Sequence, residues 1–408
     1  MQNLTIDGDR LWQTIMETAA FGATSDGGIR RLTLSQEDKQ MRDWFRAQCE
    51  ALGCTVTVDT VGNMFALRPG RNADALPIAI GSHLDTQPTG GKFDGILGVL
   101  AGLEVFRALH ATGYETEQPL VLVNWTNEEG SRFAPAMLGS GVHAGVFDRD
   151  FADSRTDIDG VSFGQAIDEI GYRGQTPIGS TRFAAMFELH IEQGPILERE
   201  GIDIGIVTGV QAMRWYDLTI TGQEAHAGST PMDMRHDALV DAAKILLAAQ
   251  EAARELGGLA TTGQLAIASP SRNVIPGRVT ISLDLRHEHD EELERLEGEV
   301  VSFIEQCCGD RAELRTIWNS PAVRFDPSCL DAIRAGAHQS GVSTREIVSG
   351  AGHDSVYVSK VTPTAMIFVP CKDGLSHNPA ESATQSQCAQ GAQVLMNAIL
   401  SYASVEIR

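Results

Sequence analysis

Four short stretches place ligand-type side chains where an apolar run stops. In GSHLDTQPTGGKFDG, residues 81–95, His83 follows the run LPIAIGS. Asp85 lies two residues on, and Asp94 sits in a glycine-rich loop leading into a helical pattern. In LVLVNWTNEEGSRF, 120–133, the run ends on two adjacent acids, Glu128 and Glu129. In FELHIEQGP, 187–195, His190 ends a run, with Glu192 and Gln193 close behind. In CKDGLSHNPAE, 371–381, a loop carries His377, and Asn378-Pro379 reads as a helix start. Imidazole and carboxylate are good ligands for zinc-like ions.

Taken singly, each stretch has an ordinary reading. Acids at a strand end face solvent, and a lone histidine packs as a structural one. Taken together, His83, Asp94, Glu129, His190 and His377 stand at separate strand ends of one domain. A carboxylate bridging two ions, with two further ligands on each, takes five residues. Two ions about 3.5–4 Å apart can polarise a carbonyl and generate a hydroxide nucleophile. The adjacent acids suit a division of labour, one on a metal and the other taking a proton from water. Asp85 could hold the imidazole of His83 from behind.

The elements that must position these residues alternate between strand and helix. Residues 34–52 read as an amphipathic helix stopped by Gly53, followed by two strand-like runs, a helix at 96–111 and the strand PLVLVNWT. FAAMFELHI, 183–191, is a further strand, and 364–370 is strand-like. The pattern predicts an α/β layer with a mostly parallel sheet, whose ligands bind at the carboxyl ends of strands. From about 214 the order becomes β-α-β-β-α-β, the split βαβ arrangement of a ferredoxin-like domain. The expected organisation is a catalytic domain of residues 1–212 and 327–408, with residues 213–326 inserted as a smaller domain.

The bulk numbers narrow the class. The chain has 408 residues and 42% hydrophobic content, enough for two domains. A formal net charge of -22 disfavours nucleic acid and anionic membranes as partners. An anionic small substrate remains compatible if cations line the site. The N-terminal MQNLTIDGDRLWQTI has no basic region followed by an apolar one, and no apolar run reaches spanning length, so neither a signal peptide nor a membrane helix is expected. Seven cysteines without a CxxC spacing fit core thiols in a reducing cytoplasm.

At this point the motifs carry a family resemblance over nearly the whole chain. GSHLDTQPTGGKFDG, NWTNEEGSRFAPAMLGSG, ELHIEQGP, GQEAHAGSTPM, RNVIPG, DLRH, GAGHDS and LSHNPAE occur in the order found in the zinc-dependent M20 family of metallopeptidases and amidohydrolases. The sequence most resembles the branch of N-carbamoyl-L-amino-acid hydrolases, β-ureidopropionases and allantoate amidohydrolases. The resemblance implies that Asp94 bridges two divalent ions, zinc first, with manganese, cobalt or nickel as alternatives. His83 and His190 would complete one ion, Glu129 and His377 the other, and Glu128 would be the general base. His226 would stabilise the oxyanion, from its own subunit or across a dimer. Asn273 and Arg286 would bind a substrate carboxylate, and Gln193, Gly352 and His353 would touch the substrate. For Arg286 the ordinary alternative is an ion pair with Asp284 or Glu288. His236 and His287 have no motif role and read as solvent-facing or structural.

The implied protein is a cytoplasmic homodimer that joins through the inserted domain, which would also act as a lid. The implied substrate is a small ureido carboxylate, either an N-carbamoyl-L-amino acid or N-carbamoyl-β-alanine. Allantoate and ureidoglycolate are alternatives, and dipeptidase or aminoacylase activity is disfavoured by His190 and Arg286. A non-catalytic small-molecule binding protein on the same scaffold is the alternative from another class.

Overall fold

The computed structural model describes residues 4–405. Its strands are β1 (Thr55–Val58), β2 (Met64–Arg68), β3 (Ile78–His83), β4 (Leu120–Trp125), β5 (Ala185–Ile191), β6 (Ile204–Val210) and β7 (Ala212–Thr221). They continue as β8 (Leu259–Thr261), β9 (Leu265–Ile267), β10 (Arg278–His287), β11 (Ala312–Ser320), β12 (Val323–Arg324), β13 (Thr344–Ser349) and β14 (Thr364–Val369). The chain divides into two compact units, one up to Gly209 and from Phe325 onward, the other Val210–Arg324.

The first unit is built on a sheet in the order β1-β2-β4-β3-β5-β14-β6, with β13 also on β6. Its centre is parallel: β3 pairs with β4 and β5, and β14 pairs with β5. Antiparallel pairs flank it, β2 on β4 at one side and β6 on β14 at the other. Every residue of β3, β4, β5 and β14 is buried. That is what continuous apolar runs, rather than alternating ones, do in a sheet covered on both faces. One face packs Phe65, Val121, Val123, Trp125, Phe183 and Met186. On the other lies the helix Ile96–Ala111. Its Gly98 and Gly102 stand one turn apart, and a Cβ on either would come within 2.4 Å of Leu189 O or Leu122 Cδ1. The helix lies so close to the sheet because those two positions carry no side chain.

The second unit is an antiparallel sheet in the order β11-β7-β10-β8, with β9 also on β10. The helices Ala238–Leu256 and Asp290–Cys308 share one apolar core with it, and β10 alternates between buried and exposed or half-buried positions. Asp237 caps the first helix by accepting from Leu239 N and Val240 N, and Gly257 ends it in the left-handed region. The sequence reading omits β8, a three-residue strand placed directly after Gly257 and too short to show a period. No helix starts at Asn378-Pro379 either. That segment is a tight turn, and the last helix begins at Gln385. Among the described residues no helix is long and apolar enough to cross a membrane.

Candidate dinuclear metal centre

Sheet register brings the first two histidines together. Ile80 pairs with Phe187 in the β3–β5 ladder, so the strand ends place His83 beside His190, with ring centroids 6.0 Å apart. Both rings are buried. His83 Nδ1 lies 2.9 Å from the carbonyl of Asp85, and His190 Nδ1 lies 2.9 Å from the carbonyl of Ile191. A carbonyl only accepts, so each Nδ1 carries a proton, and in the neutral ring each Nε2 is left as a lone pair. Those lone pairs point to one oxygen: Asp94 Oδ1 is 3.6 Å from His83 Nε2 and 3.1 Å from His190 Nε2. Gly95 N donates to His190 Nε2 at 3.2 Å, whereas buried His83 Nε2 has no hydrogen-bond partner.

The other oxygen of Asp94 faces the other two residues. His377 Nε2 is 3.4 Å from Asp94 Oδ2 and 3.4 Å from Glu129 Oε2. The ligand atoms of His83, Asp94 and His190 lie within 4.8 Å of one another, as do those of Asp94, Glu129 and His377. Asp94 is common to both groups. Imidazole nitrogens and a carboxylate oxygen facing one another need a proton or a cation between them, and as neutral rings the set offers the donors that divalent ions take. Where such ions bind, His83 and His190 would hold one, Glu129 and His377 the other, and Asp94 both.

The electrostatics of the protein groups agree with that reading. Burial raises Asp94, but the three imidazoles outweigh it and hold the carboxyl well below the usual range. Glu128 is pushed well above its usual value by burial, and Asp354, Glu129 and Asp94 add to the rise against the opposing pull of His83. Burial and Asp94 raise Glu129 to about 7. The hydrogen bond to Asp94 is the main cause that raises His377 to about 9. So many acids in one buried cluster share protons with the histidines unless cations neutralise them.

Asp85 supports the centre differently from the sequence reading. Its carbonyl, not its carboxylate, orients His83; the carboxylate oxygen is 3.9 Å from Nδ1. The carboxylate accepts instead from Glu128 N and Glu129 N, each at 3.3 Å, and so fixes the loop that presents both acids. Glu128 Oε2 reaches to 3.5 Å from His83 Nε2. Three residues around the centre hold left-handed backbone without being glycine: Asn127 at φ 61, Gln193 at φ 57 and His377 at φ 54. Such strain gathers where surrounding structure dictates side-chain direction. Gly95, at φ 68, faces the His83 ring so closely that a Cβ there would lie 2.3 Å from it.

The remaining expected site residues divide between the units. Gln193 Nε2 donates to Asp94 Oδ2 at 2.9 Å and to Ser376 Oγ at 3.0 Å, and its buried Oε1 has no partner. Gly352 packs near Met137, while His353 is buried, bonded to Ser349 Oγ at 3.1 Å and set edge-on to His190 at 4.5 Å. In the second unit His226 is exposed, and its Nδ1 accepts from Gly228 N and Ser229 N. Neutral His226 therefore keeps its proton on Nε2, free to donate outward. Ala227 N donates to Asn273 O at 2.9 Å, so His226 and Asn273 share one corner of that unit. Arg286 does not join them. It stands near the far end of β10 from Arg278, eight residues along, a span of roughly 26 Å at the usual rise of a strand. Asn273, which precedes Arg278, and Arg286 therefore lie toward opposite ends of β10 within one copy of the chain. Arg286 is bonded to Asp284, Nη2 to Oδ2 at 2.6 Å, the ion pair that was the ordinary alternative. His236 is exposed, and His287 is buried with Nε2 3.0 Å from Leu256 O.

Several polar groups escaped the sequence reading. Glu188 is buried and accepts from Ser82 and Ser355 hydroxyls; it lies two residues before His190 on the same strand. Glu381 accepts from Phe93 N and Asp94 N. Asp354 is buried with one oxygen bonded to Ser140 and the other without a partner. All three stand inside the quoted motifs, and their acidity next to a ligand was the signal.

Residues 79–401 match the model of peptidase family M20/M25/M40. An N-carbamoyl-L-amino-acid amidohydrolase from Rhizobium meliloti is 46% identical over 410 residues, covering 99% of this chain and 98% of that one. An N-carbamoyl-L-amino acid amidohydrolase from Geobacillus stearothermophilus is 37% identical, covering 98% of this chain and all of that one. The crystal structure of an amidase of the hydantoinase/carbamoylase family from Burkholderia multivorans superposes with a TM-score of 0.94 at 49% identity, covering 98% of each chain. By the extent of the family match and of these full-length relatives, the chain belongs to peptidase family M20/M25/M40.

Proposed function

We propose that this protein is an N-carbamoyl-L-amino-acid amidohydrolase. One water cleaves the ureido group of the substrate and gives the free amino acid, ammonia and carbon dioxide. The observation that carries the reading is the facing of imidazole lone pairs toward a shared Asp94, in a chain 46% identical over its length to an enzyme of that name.

The centre would hold two divalent ions, zinc the first choice. When bound, such ions supply Lewis acidity toward the carbonyl and lower the pKa of water. Glu128 takes the proton of the attacking water and returns it to the leaving nitrogen. Its raised proton affinity suits a group that must both accept and give at neutral pH. His226, with its proton on Nε2, donates to the oxyanion that develops at the ureido oxygen. Arg286 offers a planar fork to the substrate carboxylate, with Asn273 as a further polar contact.

Because Asn273 and Arg286 lie far apart in one copy, a substrate that meets both meets two copies. That supports a homodimer joined through the inserted unit. The seven free cysteines support a cytoplasmic setting.

The test is ammonia release by metal-reconstituted protein from a panel of N-carbamoyl-L-amino acids, N-carbamoyl-β-alanine, allantoate and ureidoglycolate. The expected result is turnover of N-carbamoyl-L-amino acids with the highest kcat/KM. Turnover of allantoate or ureidoglycolate with none of the N-carbamoyl compounds would replace this reading.

A further inference from the structure

Asp94 has a support that the metal-site reading does not use. Glu381 is only 4% exposed and comes four residues after His377. The turn at Asn378, with Glu381 N donating to Asn378 O at 3.0 Å and Ala380 N to Asn378 Oδ1 at 2.9 Å, folds the segment back beside the Asp94 loop. There Glu381 Oε1 accepts from Phe93 N at 3.1 Å and from Asp94 N at 3.0 Å. The loop is closed against this carboxylate: a Cβ on Gly91 would lie 2.3 Å from Oε1.

Between the two acids stands Ser376. Its hydroxyl is 3.0 Å from Glu381 Oε2 and 3.1 Å from Asp94 Oδ2. A hydroxyl has one proton to give. Asp94 Oδ2 already receives Gln193 Nε2 at 2.9 Å, and a second hydrogen bond would occupy its remaining lone pair. That lone pair is on the oxygen that faces His377 and Glu129.

We propose that Glu381 is a positioning residue for the ion held by His377 and Glu129. It draws the Ser376 proton to itself and so leaves Asp94 Oδ2 open to a cation. The inference rests on the dinuclear reading above. It predicts an effect of hydrogen-bond polarity rather than of shape. Glutamine at 381 must keep its carbonyl oxygen toward the two backbone N–H groups, which can only donate. Its amide nitrogen then faces Ser376, donates to the hydroxyl oxygen and sends the Ser376 proton to Asp94.

The experiment is calorimetric titration of the metal-free full-length chain with Zn2+, with bound zinc counted by atomic mass spectrometry. Wild type should take two ions. Glu381→Gln should take the first normally and the second about 10–100-fold more weakly. Adding Ser376→Ala to Glu381→Gln should return the second affinity to the wild-type value. Ser376→Ala alone should keep both ions, and it carries the test if Glu381→Gln does not fold. A wild-type second affinity in Glu381→Gln, no recovery in the double variant, or loss of the second ion in Ser376→Ala would each overturn the proposal. A wild-type chain that takes fewer than two ions would overturn the dinuclear reading and this one with it. Two ions in wild type with an unchanged second affinity in Glu381→Gln would overturn this one alone.

Discussion

Glu128 and Glu129 are neighbours in sequence with different surroundings. Glu129 lies beside His377, whereas Glu128 lies beside His83. Replacing Glu128 by Gln removes the proton acceptor and keeps the volume. We expect kcat to fall by about 10²–10⁴-fold, with the ion content found by atomic mass spectrometry unchanged. Wild-type turnover in that variant would end the general-base assignment. Gly95 makes a second prediction at this scale. Alanine there must displace the His83 ring, because its Cβ would meet the ring at 2.3 Å, and it must also hold φ at 68°. The expected result of Gly95→Ala is at least about tenfold weaker binding of the ion at His83 and His190, read by zinc titration. An unchanged affinity would mean that the loop can give way.

The elements around the centre are held by packing that has its own pH dependence. His143 ends the short helix Leu138–His143 and packs in an aromatic cluster, stacked on Phe183 at 5.4 Å and edge-on to Trp125 at 5.0 Å. Burial pushes its imidazole down to about 4, from an ordinary value of 6.5. Between those values the unfolded chain binds a proton that the folded chain refuses. Stability from this group is therefore complete above pH 6.5 and is lost as the pH falls toward 4. A shift of that size is worth up to about 3 kcal/mol. Denaturant unfolding at a series of pH values should show His143→Phe losing less stability on acidification than wild type. Parallel curves would refute the assignment. In the second unit, Asp237→Ala should cost about 1 kcal/mol through loss of the helix cap, measured the same way.

At the scale of the molecule, the centre gathers several buried acids in a chain of net charge -22. Asp85, Asp94, Glu128, Asp354 and Glu381 are all buried within the first unit. Cations held by such a cluster would bind the folded state and not the unfolded one, so chelation should lower the melting temperature. At a hundredfold excess of free ion over Kd, each site adds about 2.7 kcal/mol. Calorimetric scanning with and without chelator checks this, and the shift belongs to the transition of the unit that carries the ligands. An unmoved transition would argue against folded-state metal sites. Sedimentation should give a dimer for the full chain, and mixing inactive His226→Ala with inactive Arg286→Ala chains should restore activity if the two residues serve one substrate from different copies. No recovery on mixing would place each site within one copy.

Local pattern was sufficient for much of this. The helix Ile96–Ala111, the strands carrying His83 and His190 and, β8 apart, the βαββαβ order of the second unit follow from apolar spacing and glycine stops, which neighbouring residues alone determine. The candidate ligand residues could be picked out because metal chemistry restricts residue type and the motifs keep those types at strand ends. Register was not legible. Only the pairing of Ile80 with Phe187 sets His83 beside His190, and pairing joins residues far apart in the chain. The same holds for Asp94 turning one oxygen to each histidine group, for Asp85 using its carbonyl on His83, and for Glu381 reaching back to the Asp94 loop. Asn273 and Arg286 stand close in sequence, yet β10 runs between them and an extended strand carries its ends apart. Sequence thus decided which side chains are present and on which elements. The tertiary structure decided which atoms face each other, because that depends on long-range packing that no local period encodes.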